Sequence, residues 1–376
     1  MRWFVLLLSI FIFSCRERQA EKATLPAGQV TENPKYASGF TVKDVEGAKF
    51  VEVLSPYPGA TSAYRYLLVP HGKPVPAIQG EVRVIRVPIQ HIVCTSTTHI
   101  PLLDYLDKTD ALVGFPTLDY ISSEKTRKRI EQGEVQELGV DKGIDLERLA
   151  VLKPDMVMGY TMTADIGQFK KIEELGIPVV INAEYLEKHP LGRAEWIKFM
   201  GLFFNKERQA DSVFSIIEQA YLSTRRLAET VPDKPTVLSG ILYRDTWFLP
   251  GGQNYAARLL KDAGCRYLWE DDPSNGFLEL SFESVYERGY RADLWIGVAS
   301  FTSLHEMATA DKRYTLFGPF INGKVFTYNA RKGATGGSEF LEIGYLRPDL
   351  ILKDLVRIAH PNLLPDHALY FHAPLK

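Results

Sequence analysis

Between residues 143 and 160 the hydrophobic positions change period once, from helical to continuous. Leu146, Leu149, Ala150 and Leu152 recur on one helical face, with Asp145 placed to cap the amino end. Glu147 falls in the first turn, where the helix dipole favours an anion. Pro154 stops the helix, and Met156, Val157 and Met158 follow as a short buried strand with Tyr160 at its carboxyl end. The same alternation runs from Pro88 to Phe204. His91–Ser96 reads as a strand whose end, Thr97-Thr98-His99, opens a helix reaching Leu106. Asp110–Gly114 and Ile177–Ile181 read as further strands, Phe169–Leu175 as a helix, and Gly133–Val140 leads into the 143–160 stretch. Strands alternating with helices predict a parallel or mixed α/β lobe, in which ligands sit at strand carboxyl ends.

Upstream the pattern is β-like. Val82, Val84, Ile85 and Val87 stand among Glu81, Arg83 and Arg86, and Lys49–Leu54 and Tyr64–Val69 are similar runs separated by proline and glycine turns. Residues 40–87 are therefore expected to form a small antiparallel, β-rich appendage, with a lid or docking arm as the alternatives. Downstream of Phe204, the positions Ala210, Val213, Phe214, Ile217, Ala220, Tyr221, Leu227 and Val231 hold a helical stripe. One helix is predicted over 205–232, capped by Asn205 and stopped by Pro232. About 26 residues at ~1.5 Å each give ~39 Å, enough to join two lobes. Thr236–Ile241 then starts a second α/β lobe, residues 233–376.

The amino terminus changes the picture of where this chain works. Arg2 precedes an apolar run from Trp3 to Phe13, too short to span a bilayer, so residues 1–15 read as a signal peptide. Its end, Ile12-Phe13-Ser14-Cys15, resembles a bacterial lipoprotein cleavage box, with the Cys15 thiol as lipid acceptor. Lipidation ties the mature chain to a membrane surface in the cell envelope, facing the periplasm. Residues 16–39 are polar and mixed in charge, as a flexible tether is. The net charge of −2 supplies no basic field for nucleic acid. Cys94, in an apolar strand, and Cys265, after Ala263-Gly264, read as two buried thiols, with a disulfide as the alternative.

An acidic residue opening a helix, then LxxLKPDxVxxY over residues 146–160, resembles the periplasmic binding proteins that feed iron-siderophore, haem and cobalamin ABC importers. Further strings agree: the strand around Leu112-Val113-Gly114, Pro250-Gly251-Gly252 before a leucine-bearing helix, Asp293-Leu294-Trp295-Ile296, and the closing RPDLILKDLVRIAHP. Glu184-Tyr185-Leu186-Glu187 and Pro190–Trp196 look like a subgroup found among Bacteroidota lipoproteins, with no mechanism attached. The resemblance covers about residues 88–370. It implies a two-lobed class III periplasmic-binding-protein fold, α/β in both lobes, joined by a single long helix. It also implies a monomer without cofactor that captures an iron chelate, haem or cobalamin between its lobes and passes it to an ABC permease with its ATPase.

Such a cleft needs aromatic faces and a few fixed polar groups. Candidates at strand ends and adjoining loops are Thr98, His99, Tyr160, Tyr243, Arg244, Trp247, Tyr328 and Arg331. In the resembled family, acids near the amino ends of two short helices face the permease; here they are Glu147 and Glu283. Enzyme signatures are absent. There is no phosphate-cradling P-loop, no Gly-x-Ser-x-Gly elbow, and His305-Glu306 lacks the second histidine of a zincin. Gly333–Gly337 reads as a loop. His360, His367 and His372 leave one alternative open, a periplasmic protein or enzyme that handles metal ions through histidines.

Overall fold

The computed structural model describes residues 33–140 and 143–376; the signal peptide, Cys15 and most of the tether lie outside them. The chain begins with β1 (Phe40–Val45), β2 (Ala48–Val53), β3 (Tyr64–Pro70) and β4 (Arg83–Val87), a four-stranded sheet in that order. The first two pairings are antiparallel, but β3 and β4 run parallel, so the appendage is mixed rather than antiparallel. It shares a core with the lobe that follows. Phe40 packs edge-on against Trp196, and the Tyr66 hydroxyl accepts from the backbone N–H of Ile181 at 2.9 Å.

The amino lobe contains β5 (Ile92–Cys94), α1 (Ile100–Tyr105), β6 (Leu112–Phe115), α2 (Glu124–Glu131) and β7 (Gln136–Glu137). A hairpin, β8 (Gly139–Val140) with β9 (Gly143–Ile144), leads to α3 (Leu146–Leu152), β10 (Met156–Gly159), α4 (Gly167–Glu174) and β11 (Val179–Ile181). The run 133–140 thus yields two short strands in different sheets, because Gly139 at φ +90° turns the chain. The sheet order β11-β10-β5-β6-β7 is fully parallel. Connections diverge between β5 and β10, which places the ligand crevice of a doubly wound sheet at their carboxyl ends.

Two helices follow without a strand. α5 (Pro190–Phe204) is buried on nearly every side, as expected of a helix apolar all round. Asn205 ends it in the left-handed conformation, φ 54°, rather than capping the next helix. α6 (Glu207–Glu229) starts at Lys206 without a side-chain cap. Its 23 residues are the single helical link between the lobes.

The carboxyl lobe holds β12 (Thr236–Leu238), the hairpin β13 (Ile241–Tyr243) and β14 (Thr246–Pro250), α7 (Tyr255–Asp262), β15 (Arg266–Tyr267) and β16 (Phe277–Ser281). Then come α8 (Phe282–Gly289), β17 (Leu294–Ile296), α9 (Leu304–Ala310), α10 (Gly318–Ile321), β18 (Val325–Thr327), α11 (Glu339–Ile343), α12 (Pro348–Ala359) and β19 (Ala373–Pro374). Its main sheet runs β15-β12-β17-β18-β19, parallel except for β19, with the crevice between β12 and β17. β13, β14 and β16 form a separate antiparallel sheet. α12 packs beside α6, so the connector lies within a helical layer and not alone. No helix among the described residues is long and apolar enough to cross a membrane. Cys94 and Cys265 are buried free thiols.

One segment assigned to the tether is held firmly. The carboxylate of Glu195 accepts from the backbone N–H groups of Lys35, Tyr36 and Ala37 at 2.7–2.9 Å. Glu187 accepts from the N–H groups of Ser38 and Gly39 and from the Trp196 indole. A Cβ on Gly39 would sit 2.8 Å from Trp196, and one on Gly192 would sit 3.0 Å from the Tyr36 carbonyl oxygen. The string 187–196 is thus the seat of a strap, residues 35–39.

Candidate functional site

At the carboxyl end of β5 the chain enters a single 3-10 turn, Thr97–His99, capped by Ser96. Thr98 donates its hydroxyl to Glu184 Oε1 at 2.5 Å, joining this turn to the segment after β11. Glu184 is buried and its second oxygen, Oε2, has no partner within the described chain. Desolvation pushes its pKa upward. His99 is 0% exposed, and neither ring nitrogen has a hydrogen-bond partner in the described chain. Burial lowers its pKa to about 3, so the imidazole is neutral and keeps one donor and one lone pair. Thr95 Oγ1 is likewise buried without a partner.

α11 of the carboxyl lobe packs on this turn. Ser338, which precedes α11, and Asn329, which follows β18, each bury a side-chain oxygen without a partner. Buried polar atoms are nearly always hydrogen-bonded, so these unpartnered atoms on segments after the strands require an explanation. Donors and acceptors held out of water can bind a polar or metal-bearing solute without first losing bonds to one another.

The predicted residues do not all meet here. Tyr160, half-buried at the end of β10, borders Tyr185, whose hydroxyl donates to the Thr161 carbonyl at 2.6 Å. Tyr328 is half-buried against Phe340, ring centroids 4.6 Å apart. Tyr243 is 62% exposed at the β13–β14 tip, and the Arg244 guanidinium lies 5.5 Å from its ring centroid. Arg244 takes φ +56°, the left-handed turn conformation. Trp247 is a correction. It is 0% exposed, stacks on Trp295 and lies among Tyr314 and Phe317, while its indole N–H donates to the Ser239 carbonyl. An alternating strand signal could not say which face of β14 turns inward. Arg331 is also committed elsewhere: it pairs with Glu339 at 2.7 Å and covers the Tyr370 ring. It lines a separate inter-lobe cavity of about 530 Å³ with Asp104, Glu124 and Lys125.

Glu147 and Glu283 are exposed in the first turns of α3 and α8, one in each lobe. The histidines of the metal alternative are dispersed. His367 and His372 hydrogen-bond one carboxylate, Asp354, which also accepts from the N–H groups of Tyr370, Phe371 and His372. His360 contacts the Gly264 carbonyl. Among the described residues no group of three or more His, Cys, Asp or Glu side chains is arranged to hold a metal ion.

Sequence reasoning missed the residues that pin the lobes. The Arg193 guanidinium lies 3.8 Å and 4.3 Å from the ring centroids of Tyr255 and Tyr345 in the carboxyl lobe, and it donates to the Tyr185 and Glu187 carbonyls. Glu342 reaches back to accept from Ser122 and Ser123 N–H at 2.7 and 2.8 Å. Their partners lie far apart in sequence, so no local pattern marks them.

A family model described as periplasmic binding protein matches residues 92–317, more than half of the chain. An uncharacterized lipoprotein of Methanocaldococcus jannaschii is 26% identical, the match covering 91% of this chain and 85% of that one. A second such lipoprotein from the same organism is 25% identical over 78% of each. Among solved structures, the periplasmic haem-binding protein RhuT of Roseiflexus sp. RS-1 superposes with a TM-score of 0.57 at 16% identity, over 73% of this chain and 99% of that one. CeuE of Helicobacter pylori with Ni(II) bound gives 0.57 at 15% identity, over 76% and 88%. At these identities the solved structures speak for the fold.

Proposed function

This chain belongs to the periplasmic binding protein family, and from that premise we propose that it captures a compact iron chelate, haem or a corrinoid between its lobes and delivers it to an ABC permease. One observation carries the reading. Among the described residues, buried polar atoms of Thr95, His99, Glu184, Asn329 and Ser338 lack partners on segments that follow strand carboxyl ends in both lobes. A bound solute supplies those partners, with Tyr160 and Tyr328 offering aromatic surface beside them. The haem-binding and Ni(II)-bound neighbours fit a metal-bearing solute rather than a bare organic acid. A neutral imidazole at His99 suits such a metal as a ligand. Glu147 and Glu283 are the proposed permease contacts, because each lobe presents one exposed acid at a helix amino end. Cys15 is the proposed lipid attachment, which places the protein at a membrane surface of the cell envelope.

Spectroscopic titration of the purified protein with haemin, a ferric hydroxamate and cyanocobalamin tests the reading. Saturable 1:1 binding of one of these, weakened by His99→Ala and by Glu184→Ala, is the expected result. Failure of all three to bind, with tight uptake of a free metal ion instead, overturns it.

A further inference from the structure

A second cavity is lined by residues before α5, at the amino ends of β12 and β15, and on α7. Its volume is about 470 Å³, and five cations line it, Lys188, Lys234, Arg258, Lys261 and Arg266, against one carboxylate, Glu270. Arg258 is neutralised by Asp262, at 3.0 Å. Among the described residues, no carboxylate lies within ion-pair distance of Lys188, Lys234, Lys261 or Arg266. Arg266 feels Asp293 electrostatically, and Glu270 offsets one further charge, so the concavity keeps a net positive lining that favours an anion.

The remaining polar lining points the same way. His189 accepts from the Leu191 N–H through Nδ1 at 3.1 Å, so its proton is on Nε2 and that nitrogen is a donor. Burial, then the nearby Arg258, lowers its pKa, so it stays a neutral donor. Lys188 and His189 belong to the amino lobe, while Lys234, α7 and β15 belong to the carboxyl lobe. The cavity is therefore gripped by both. His189 also contacts the strap, its ring 4.9 Å from that of Tyr36.

We propose that this cavity binds a phosphate-bearing anion, at a site separate from the one that takes the transported solute. Tetrahedral phosphate oxygens accept several ammonium and guanidinium donors at once, which a halide or a monocarboxylate cannot match. The phosphate comes either from a soluble phosphate compound or from a phospholipid headgroup.

Calorimetry on the full chain in mild detergent, at low ionic strength, tests this with pyrophosphate, dihexanoylphosphatidic acid and dihexanoylphosphatidylcholine as probes. The first or second binds 1:1 and the third does not. Preference for pyrophosphate identifies a soluble phosphate compound, and preference for phosphatidic acid identifies a headgroup. Lys261→Glu with Arg266→Glu lowers the affinity by more than about tenfold, and Lys188→Gln with Lys234→Gln lowers it from the cavity's other wall. Glu270→Gln raises it, which a purely structural role for these side chains does not predict. All these residues are exposed, so the two pairs give independent readings if one variant fails to fold. Absence of binding by both phosphate probes, or binding unchanged by the charge variants, overturns the proposal.

Discussion

Glu184, Glu187 and Glu195 are three buried carboxylates on one short stretch of chain, yet they live in opposite circumstances. Glu187 and Glu195 are saturated, chiefly by backbone N–H groups of the strap. Among the described residues, Glu184 has one hydroxyl on one oxygen and no partner on the other. A buried carboxylate that gathers donors fixes a structure, because each donor would otherwise lose its own bond. A buried carboxylate left short of donors costs stability, and it persists where a ligand or a mechanism needs it. The pair of cases separates what holds this protein together from what equips it to bind.

The largest effect expected is from breaking the saturated member. Glu195→Ala removes the acceptor of three backbone N–H groups and should lower unfolding stability by about 3 kcal/mol in a urea titration. Residues 35–39 should then become open to proteolysis. A loss below about 1 kcal/mol shows that the strap is replaceable and ends the contrast.

Next in size is a pH effect at the inter-lobe pin. Burial raises the Glu342 pKa from 4.5 to about 7 in the folded protein. The folded state therefore holds this proton more tightly than the unfolded state does. Its stabilising share is complete below about pH 4.5 and is lost as pH rises toward 7, an amount on the order of 3 kcal/mol. Comparing urea midpoints of the wild type and Glu342→Gln between these pH values checks it: the variant should show a flatter profile. Asp354 has the opposite sign, since the histidines and N–H groups around it depress its pKa and outweigh burial. Its contribution is lost as pH falls.

Glu184→Gln sharpens the comparison from the other side. A neutral amide keeps an acceptor for Thr98 and carries no charge to desolvate, so stability should stay within about 1 kcal/mol of wild type. Solute affinity should fall all the same. A variant that loses stability as Glu195→Ala does would place Glu184 with the structural pair.

The smallest effect on the isolated protein belongs to Glu147→Ala with Glu283→Ala. Each exposed acid gains ~0.3–1 kcal/mol from its helix dipole, so thermal melting should barely move while permease-dependent uptake drops, more at low salt. Normal uptake by the double variant would remove the docking assignment.

Much of the fold was legible along the chain because it rests on local periods. The Leu146–Leu152 stripe, Pro154 and the run Met156–Met158 became α3 and β10 with Asp145 as the cap. The connecting stripe became α6, although Asn205 went to the preceding helix, whose uniformly apolar face carries no period to read. Thr98 and His99 were placed at a strand end, and there Thr98 donates to Glu184 while His99 is buried. Trp247 shows the limit. Its position on β14 was readable, but which side of the strand faces the core depends on Trp295, Tyr314 and Phe317, contributed from elsewhere in the lobe. The same holds for Glu187 and Glu195, whose partners stand roughly 150 residues upstream. Sequence determined many of the elements and their order, because propensity, capping and hydrophobic period act over a few residues. Tertiary structure alone decided which buried polar groups are satisfied, because that depends on donors brought together from distant parts of the chain.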